Sequence, residues 1–490
     1  MTSIRKKPLK VVTDSEDDQS DRKYLNITNK KGPSTILEEN KKQKSAVIRY
    51  SGFSHVLPIH TVTKASILSK EAPPENYNGF LRLGMLILGA SNIRLIIENW
   101  MKYGLLIGSP HSHIPVKDFV FSFIAWLSVP ISLIISFMLE FGMSKLATTA
   151  KDAKPDFLKK LTILERVVAV THLCHLLFLL TFPSYIIYTQ IYHPVVGSSV
   201  LFICLIAFLK LTSYALVNHE LRQSYVAKKS EEFYTEDASY PNNINIKNLL
   251  YFFFAPTLCY QPSYPRSQKF RKTFFMKRVG ELVTCLAMMY VLSEQYAKPT
   301  LANSIKALED KDIVTIVERV LKLSTTAVVI WLLMFYALFH AFLNALAEVL
   351  RFGDRTFYLA WWNSGNLVTY WRLWNRPVYL FFKRHVYIPA VQRGVPPALC
   401  QLLVFFVSAV LHEVLVGIPT HSITGFAFFG MLGQIPLIAF TQAIEKWRGK
   451  GTSLGNTIFW ITFCVVGQPT IALLYYYQWT ATHKITNSTT

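Results

Sequence analysis

The sequence predicts an all-α, polytopic membrane protein with about nine transmembrane helices. Three observations carry that expectation. Of the 490 residues, 51% are hydrophobic and only 17% charged. The apolar residues gather in runs of about 20, the length that crosses a hydrocarbon core of roughly 30 Å. The basic residues lie in the connections on alternate sides of those runs, which is the positive-inside arrangement.

Residues 1–75 are polar, with an acidic patch from Asp14 to Asp21 and lysine pairs at Lys30-Lys31 and Lys41-Lys42. Such a composition buries no core, so a disordered cytosolic tail is expected. Residues 76–480 form the transmembrane domain. Its spans are expected near 80–106, 119–140, 161–182, 195–217, 274–296, 320–350, 399–418, 424–441 and 457–478. The connections 142–160, 217–273, 351–398 and 441–456 hold Lys/Arg clusters, whereas 107–118, 183–194 and 417–423 hold almost none. This places the N-terminus in the cytosol and a short tail, 481–490, in the lumen. The hydrophilic N-terminus predicts no cleavable signal, so the first span directs the chain to the membrane.

The net charge of +21 raises nucleic acid as a partner, but the charge is spread through membrane-flanking loops, and none is expected. The six cysteines are scattered without a CxxC, which indicates neither a disulfide framework nor a zinc site. There is no GxxxxGK, GxSxG or HExxH, which removes support for ATP-driven transport and serine hydrolysis.

Polar groups inside the spans are costly in lipid and mark function or helix-helix locks. Arg94 and Glu98, four apart, read as such a lock, and His172 with His175 as core packing rather than a metal pair. His340, Asn344 and Glu348 lie one turn apart on one face. With Ser408, Gln434 and Gln468 they suggest a polar chamber inside the membrane. The strongest signal is His412-Glu413, in the apolar run Leu399–Ile418. Histidine suits general-base chemistry near neutral pH. The segment before it, 351–398, carries seven Arg/Lys against one Asp and is crowded with Trp and Tyr. It reads as a basic, aromatic entrance to a buried base. Leu249–Pro265 and Tyr370–Tyr387, both rich in aromatic residues, read as segments lying at headgroup depth.

FGDRTFYLAWWN, LWNRPV and SAVLHEVLV, in that order, resemble the membrane-bound O-acyltransferase family, in its sterol and diacylglycerol branch. FAPTLCYQPSYPRS, FHAFLNALAEVLRFGDR, FFGMLGQIPL and VGQPTIALLYYY narrow the resemblance to the type 1 diacylglycerol O-acyltransferases, over roughly residues 65–478. The resemblance implies the family fold with an intramembrane reaction chamber. It implies direct transfer of an acyl group from acyl-CoA, a co-substrate, to the free hydroxyl of diacylglycerol, with no metal or other cofactor. His412 takes the base position, Asn375 the second catalytic position, and Glu413 orders the surroundings. The entrance residues, expected to hold acyl-CoA, are Phe357, Tyr358, Trp361, Trp362, Asn363, Trp371, Arg372, Trp374, Lys383, Arg384 and Tyr387. A homodimer or homotetramer is implied.

The chain also departs from the family pattern. Ala360 replaces an Asp in FYxDWWN, Val414 the Tyr after His-Glu, and Tyr379 a His after WNxPV; Gln401 stands where a basic residue is common. Sterol, retinol or wax alcohols remain alternative acceptors. A weakly active or non-catalytic regulator on the same fold, or a transporter, would be the readings of another class.

Overall fold

The computed structural model of the chain describes residues 78–108, 114–150, 155–228, 239–449 and 453–488. The tail expected over residues 1–75 lies outside the described residues. The chain divides into two compact units, Met1–Ser91 and Asn92–Thr490. The division falls inside the first helix, α1 (Asn78–Tyr103), and every contact described below lies within the second unit.

No β-strand occurs among the described residues, and each of the nine expected spans coincides with helix. After α1 come α2 (Val116–Trp126) and α3 (Ser128–Ala150), α4 (Pro155–Gln190), α5 (Pro194–Val226), a short α6 (Ile246–Phe254) and α7 (Lys272–Leu292). Helix α8 (Ile313–Phe335) runs through a π-helical segment into α9 (Leu343–Val349). The long loop carries α10 (Leu367–Trp374) and α11 (Arg376–Phe382). Then follow α12 (Pro397–Gly417), α13 (Phe426–Leu432), α14 (Gln434–Arg448), α15 (Ser453–Phe459) and α16 (Gln468–Ser488).

Among the described residues, seven helical stretches are long and apolar enough to cross a membrane: Val116–Ala150, Lys159–Gln190, Pro194–Val226, Ile313–Val349, Pro397–Gly417, Phe426–Arg448 and Leu454–Thr482. The chain is a multi-pass membrane protein. The other two predicted spans fall on α1 and α7, which carry more charge. In α1, Arg94 and Glu98 pair at 2.7 Å on an exposed face. In α7, Arg278 pairs with Glu281 at 3.0 Å and also contacts His340. Helix α16 continues beyond the boundary expected at 480, and Thr480 and Thr482 bond back to the carbonyls of Tyr476 and Gln478.

Helix α12 stands between two cores. Val414, Leu415 and Ile418 pack on the aliphatic core of α2, α4 and α5, around Leu179, Ile187, Leu201 and Cys204. Phe405 and Ala409 belong to an aromatic core with Trp331, Phe335, Trp361, Tyr370 and Met431. In the loop segment from Tyr370 to Tyr387, Tyr370 is 1% exposed and Phe381 and Phe382 are buried. The apolar sides of α10 and α11 are covered by protein.

Among the described residues, four π-helical segments interrupt the helices, at Ser293–Ala297, Tyr336–Phe342, Lys383–Tyr387 and Trp460–Gly467. Each inserts a residue and re-aims the side chains after it. The second carries His340, the third Lys383 and Arg384, and the fourth ends just before Gln468.

The connection between α6 and α7 is strapped down by polar groups. Buried Lys210 donates to the carbonyls of Phe252 (3.0 Å) and Ala255 (2.6 Å). The Ser213 hydroxyl accepts from Tyr260 N (2.8 Å) and lies 2.7 Å from His385 Nε2. Burial, helped by the adjacent Arg384 charge, pushes the His385 ring down to about 4. Gly353 N donates to Pro265 O at 2.8 Å. A Cβ at residue 353 would fall 2.9 Å from that same oxygen, so this approach requires glycine.

Candidate active site

Phe405, Ala409 and His412 follow one another at helical spacing, so His412 continues the face of α12 that turns to the aromatic core. Its ring is nevertheless accessible.

His412 Nδ1 lies 2.7 Å from the carbonyl oxygen of Ser408, one turn earlier. A carbonyl only accepts, so Nδ1 carries the proton and Nε2 presents a lone pair. Among the described residues Nε2 has no hydrogen-bond partner. The Ser408 hydroxyl stands 3.4 Å from Nδ1. The tautomer is thus set by the ring's own helix.

Glu413 points elsewhere. It accepts from Gly425 N (2.8 Å), Phe428 N (3.1 Å) and the Tyr475 hydroxyl (2.7 Å), and that hydroxyl also accepts from Ala427 N (3.0 Å). The carboxylate thus caps the start of α13 and ties α12, α13 and α16 together. Gly425 has φ of +81°, and a Cβ on Gly417 would stand 2.8 Å from Glu413 Oε1. Glycine permits both the turn and the carboxylate's approach. Glu413→Ala is expected to cost about 2 kcal/mol or more in stability, since bonds to a charged group are worth about 1.5–3 kcal/mol. It should lower kcat more than it raises KM for an acyl donor. Tyr475→Phe, losing one bond of the three, should act in the same direction but less. Melting and steady-state kinetics of both variants check this; unchanged values would remove Glu413 from the site's support.

Helices α13 and α16 run antiparallel. Ala427 bonds Tyr475, and Gly430 packs on Ile471, where an added Cβ would sit 2.7 Å from Cδ1. Gln434 Nε2 donates to Gly430 O (3.3 Å), while its Oε1 is buried without a partner. The Nε1 atoms of Trp361 and Trp371 and the Tyr370 hydroxyl are also buried and unbonded.

The other predicted residues divide. His340 bonds the Tyr358 hydroxyl through Nδ1 (2.8 Å) and Arg278 through Nε2, and Asn344 bonds the His340 carbonyl (2.9 Å). Glu348, fully buried, accepts from Arg271 Nη2 (2.8 Å) and Arg355 Nη2 (2.6 Å). It locks the FGDR turn to the start of α7. Asn375 accepts from Val378 N (3.2 Å) and caps α11. Phe357 and Trp361 are buried, and Trp374 stacks on Trp331 with centroids 5.0 Å apart; all three pack the core. Trp371 meets Phe405 edge-on. Trp362, Asn363 and Ala360 are exposed, and Arg372, Lys383 and Tyr387 are half-buried. Arg384 donates to Tyr260 O (3.0 Å). Sequence reasoning missed Tyr475, one of three consecutive tyrosines, and Trp331 and Arg278. A lone Trp within a span and a cation near a span's start were the available signals.

The family model of the membrane-bound O-acyltransferases matches residues 124–478. Diacylglycerol O-acyltransferase 1C of Glycine max is 36% identical over 427 residues, 86% of this chain and 79% of that protein. Diacylglycerol O-acyltransferase 1-1 of Oryza sativa subsp. japonica is 38% identical, covering 87% and 77%. Diacylglycerol O-acyltransferase 1 of Arabidopsis thaliana is 37% identical, covering 86% and 77%. The chain belongs to the membrane-bound O-acyltransferase family, alongside the diacylglycerol O-acyltransferases 1.

Proposed function

We propose that the protein transfers an acyl group from acyl-CoA to the free hydroxyl of diacylglycerol, releasing CoA and triacylglycerol. The observation that carries the mechanism is the His412 Nδ1 contact with Ser408 O, which leaves Nε2 free as base. Nε2 takes the hydroxyl proton as the oxygen attacks the thioester carbonyl. The C–S bond breaks and the departing thiolate recovers the proton from the imidazolium. Atoms and charge balance with donor and acceptor alone, so no metal, other cofactor or acyl-enzyme is needed.

The location suits the substrates. Diacylglycerol is soluble in the bilayer and CoA is a polyanion in water, so the base belongs inside the membrane with a basic mouth. Arg372, Arg376, Lys383 and Arg384 supply cations, and exposed Trp362 a stacking surface. Asn375 acts by fixing the start of α11, and hence the mouth. Gln434 and Gln468 offer amides to the thioester or hydroxyl. Exposed Ala360 takes no part in packing, so the missing carboxylate leaves the base and its chamber intact. The setting is the endoplasmic reticulum membrane, N-terminus cytosolic and C-terminus lumenal, in a homo-oligomer.

Purified protein in nanodiscs, given labelled oleoyl-CoA with diacylglycerol, cholesterol or retinol, tests the reading. Triacylglycerol is expected as the main product. Cholesteryl or retinyl ester as the main product would keep the mechanism and overturn the acceptor.

A further inference from the structure

We propose that the connection between α5 and α7 holds a binding site for an anionic phospholipid, built from the side of α6 and the loop that follows it. A cavity of about 280 Å3 lies there, lined by Lys247, Asn248, Tyr251, Ser263, Tyr264 and Arg266 among others, with no carboxylate in its wall. The Arg266 guanidinium lies 4.0 Å over the Tyr251 ring. Lys247 and Arg266 are exposed, and neither pairs with an acidic side chain among the described residues. Residues 239–271 contain Lys247, Arg266, Lys269 and Arg271 and no Asp or Glu. Arg271 is committed to Glu348. Two uncompensated cations in one concave, hydroxyl- and amide-bearing wall fit a phosphate group.

The same helix says what the phosphate is attached to. Ile246, Leu250 and Phe254, spaced by four, are 57%, 39% and 56% exposed, while Leu249 and Phe252 on the other side are buried. A short helix between membrane elements with one bare apolar stripe rests that stripe in acyl chains. Lys247 and Tyr251 directly follow Ile246 and Leu250, so cavity and stripe adjoin along α6. A headgroup in the cavity and acyl chains on the stripe satisfy both; a soluble phosphate compound would leave the stripe in water. The site is held rigid at both ends of α6. Asn245 caps its start, accepting from Asn248 N at 2.8 Å, and Lys210 binds the carbonyls at its end.

The test is direct binding of short-chain phosphatidylglycerol to the purified full chain in neutral detergent, with zwitterionic, net-neutral phosphatidylcholine as the comparison. Wild type is expected to bind phosphatidylglycerol saturably and in preference. The Lys247→Glu/Arg266→Glu double variant should bind about tenfold or more weakly, since each cation near a lipid surface adds about fivefold in affinity. Arg266→Lys should retain most of the binding. Equal binding by the double variant, or equal binding of the two lipids, would overturn the proposal. So would a rise in KM for acyl-CoA of the double variant in phosphatidylcholine nanodiscs, which would assign the cations to CoA. Binding is read without turnover, so its outcome is independent of the proposed acyl transfer.

Discussion

His412→Ala is expected to lower kcat by about 10²–10⁴, the range for losing a positioned general base. KM for acyl-CoA should change little, because the ring acts on the hydroxyl proton and not on the CoA phosphates. Folding should be unaffected, since its hydrogen bonds stay within its own helix, to the Ser408 carbonyl and hydroxyl. His412→Gln, which keeps a polar side chain without a basic nitrogen, should be equally inactive. The acid limb of the wild-type pH–rate profile, where the imidazole gains a proton and ceases to be a base, should be missing from any residual activity. Activity within about tenfold of wild type in a well-folded variant would mean that another group takes the proton.

Arg222→Gln is expected to have the largest effect on stability, about 3–5 kcal/mol, because it leaves buried carboxylates without their counter-ion. Arg222 Nη1 lies 2.6 Å from Glu140 and its Nε 3.2 Å from Glu165, and the Arg222 and Glu140 side chains are 2% and 1% exposed. His172 joins at 3.1 Å from Glu140, and His175 follows at 3.1 Å from His172. The cluster fastens α3, α4 and α5. Adding Glu140→Gln to Arg222→Gln should recover part of the loss, a coupling that a double-mutant cycle in detergent unfolding measures. A single-variant cost below about 1 kcal/mol would show the cluster to be wet or dispensable. The predicted packing role of His172 and His175 thus takes a specific form: they extend a buried ion-pair chain.

The sequence by itself determined the helical membrane class and the position of every expected span on a helix, and it drew attention to His412-Glu413. These are one-dimensional properties. An apolar run of membrane length has no stable alternative to helix in lipid, because its backbone groups must bond within the segment. A histidine inside such a run is conspicuous for the same reason.

What each polar residue does was settled only by tertiary structure. Glu413 adjoins His412 in sequence but points about 100° away, and the partners it finds are backbone N–H groups at 425 and 428 and a hydroxyl at 475. Glu348 shares a helical face with His340 and Asn344, yet it is claimed by arginines from α7 and the FGDR turn. Trp361 and Trp374 read as entrance aromatics and became core, since nothing in their own segment shows that Trp331 and Phe335 of α8 lie across from them. Helical periodicity fixes the face on which a side chain stands; only the packing of distant helices decides what that face meets.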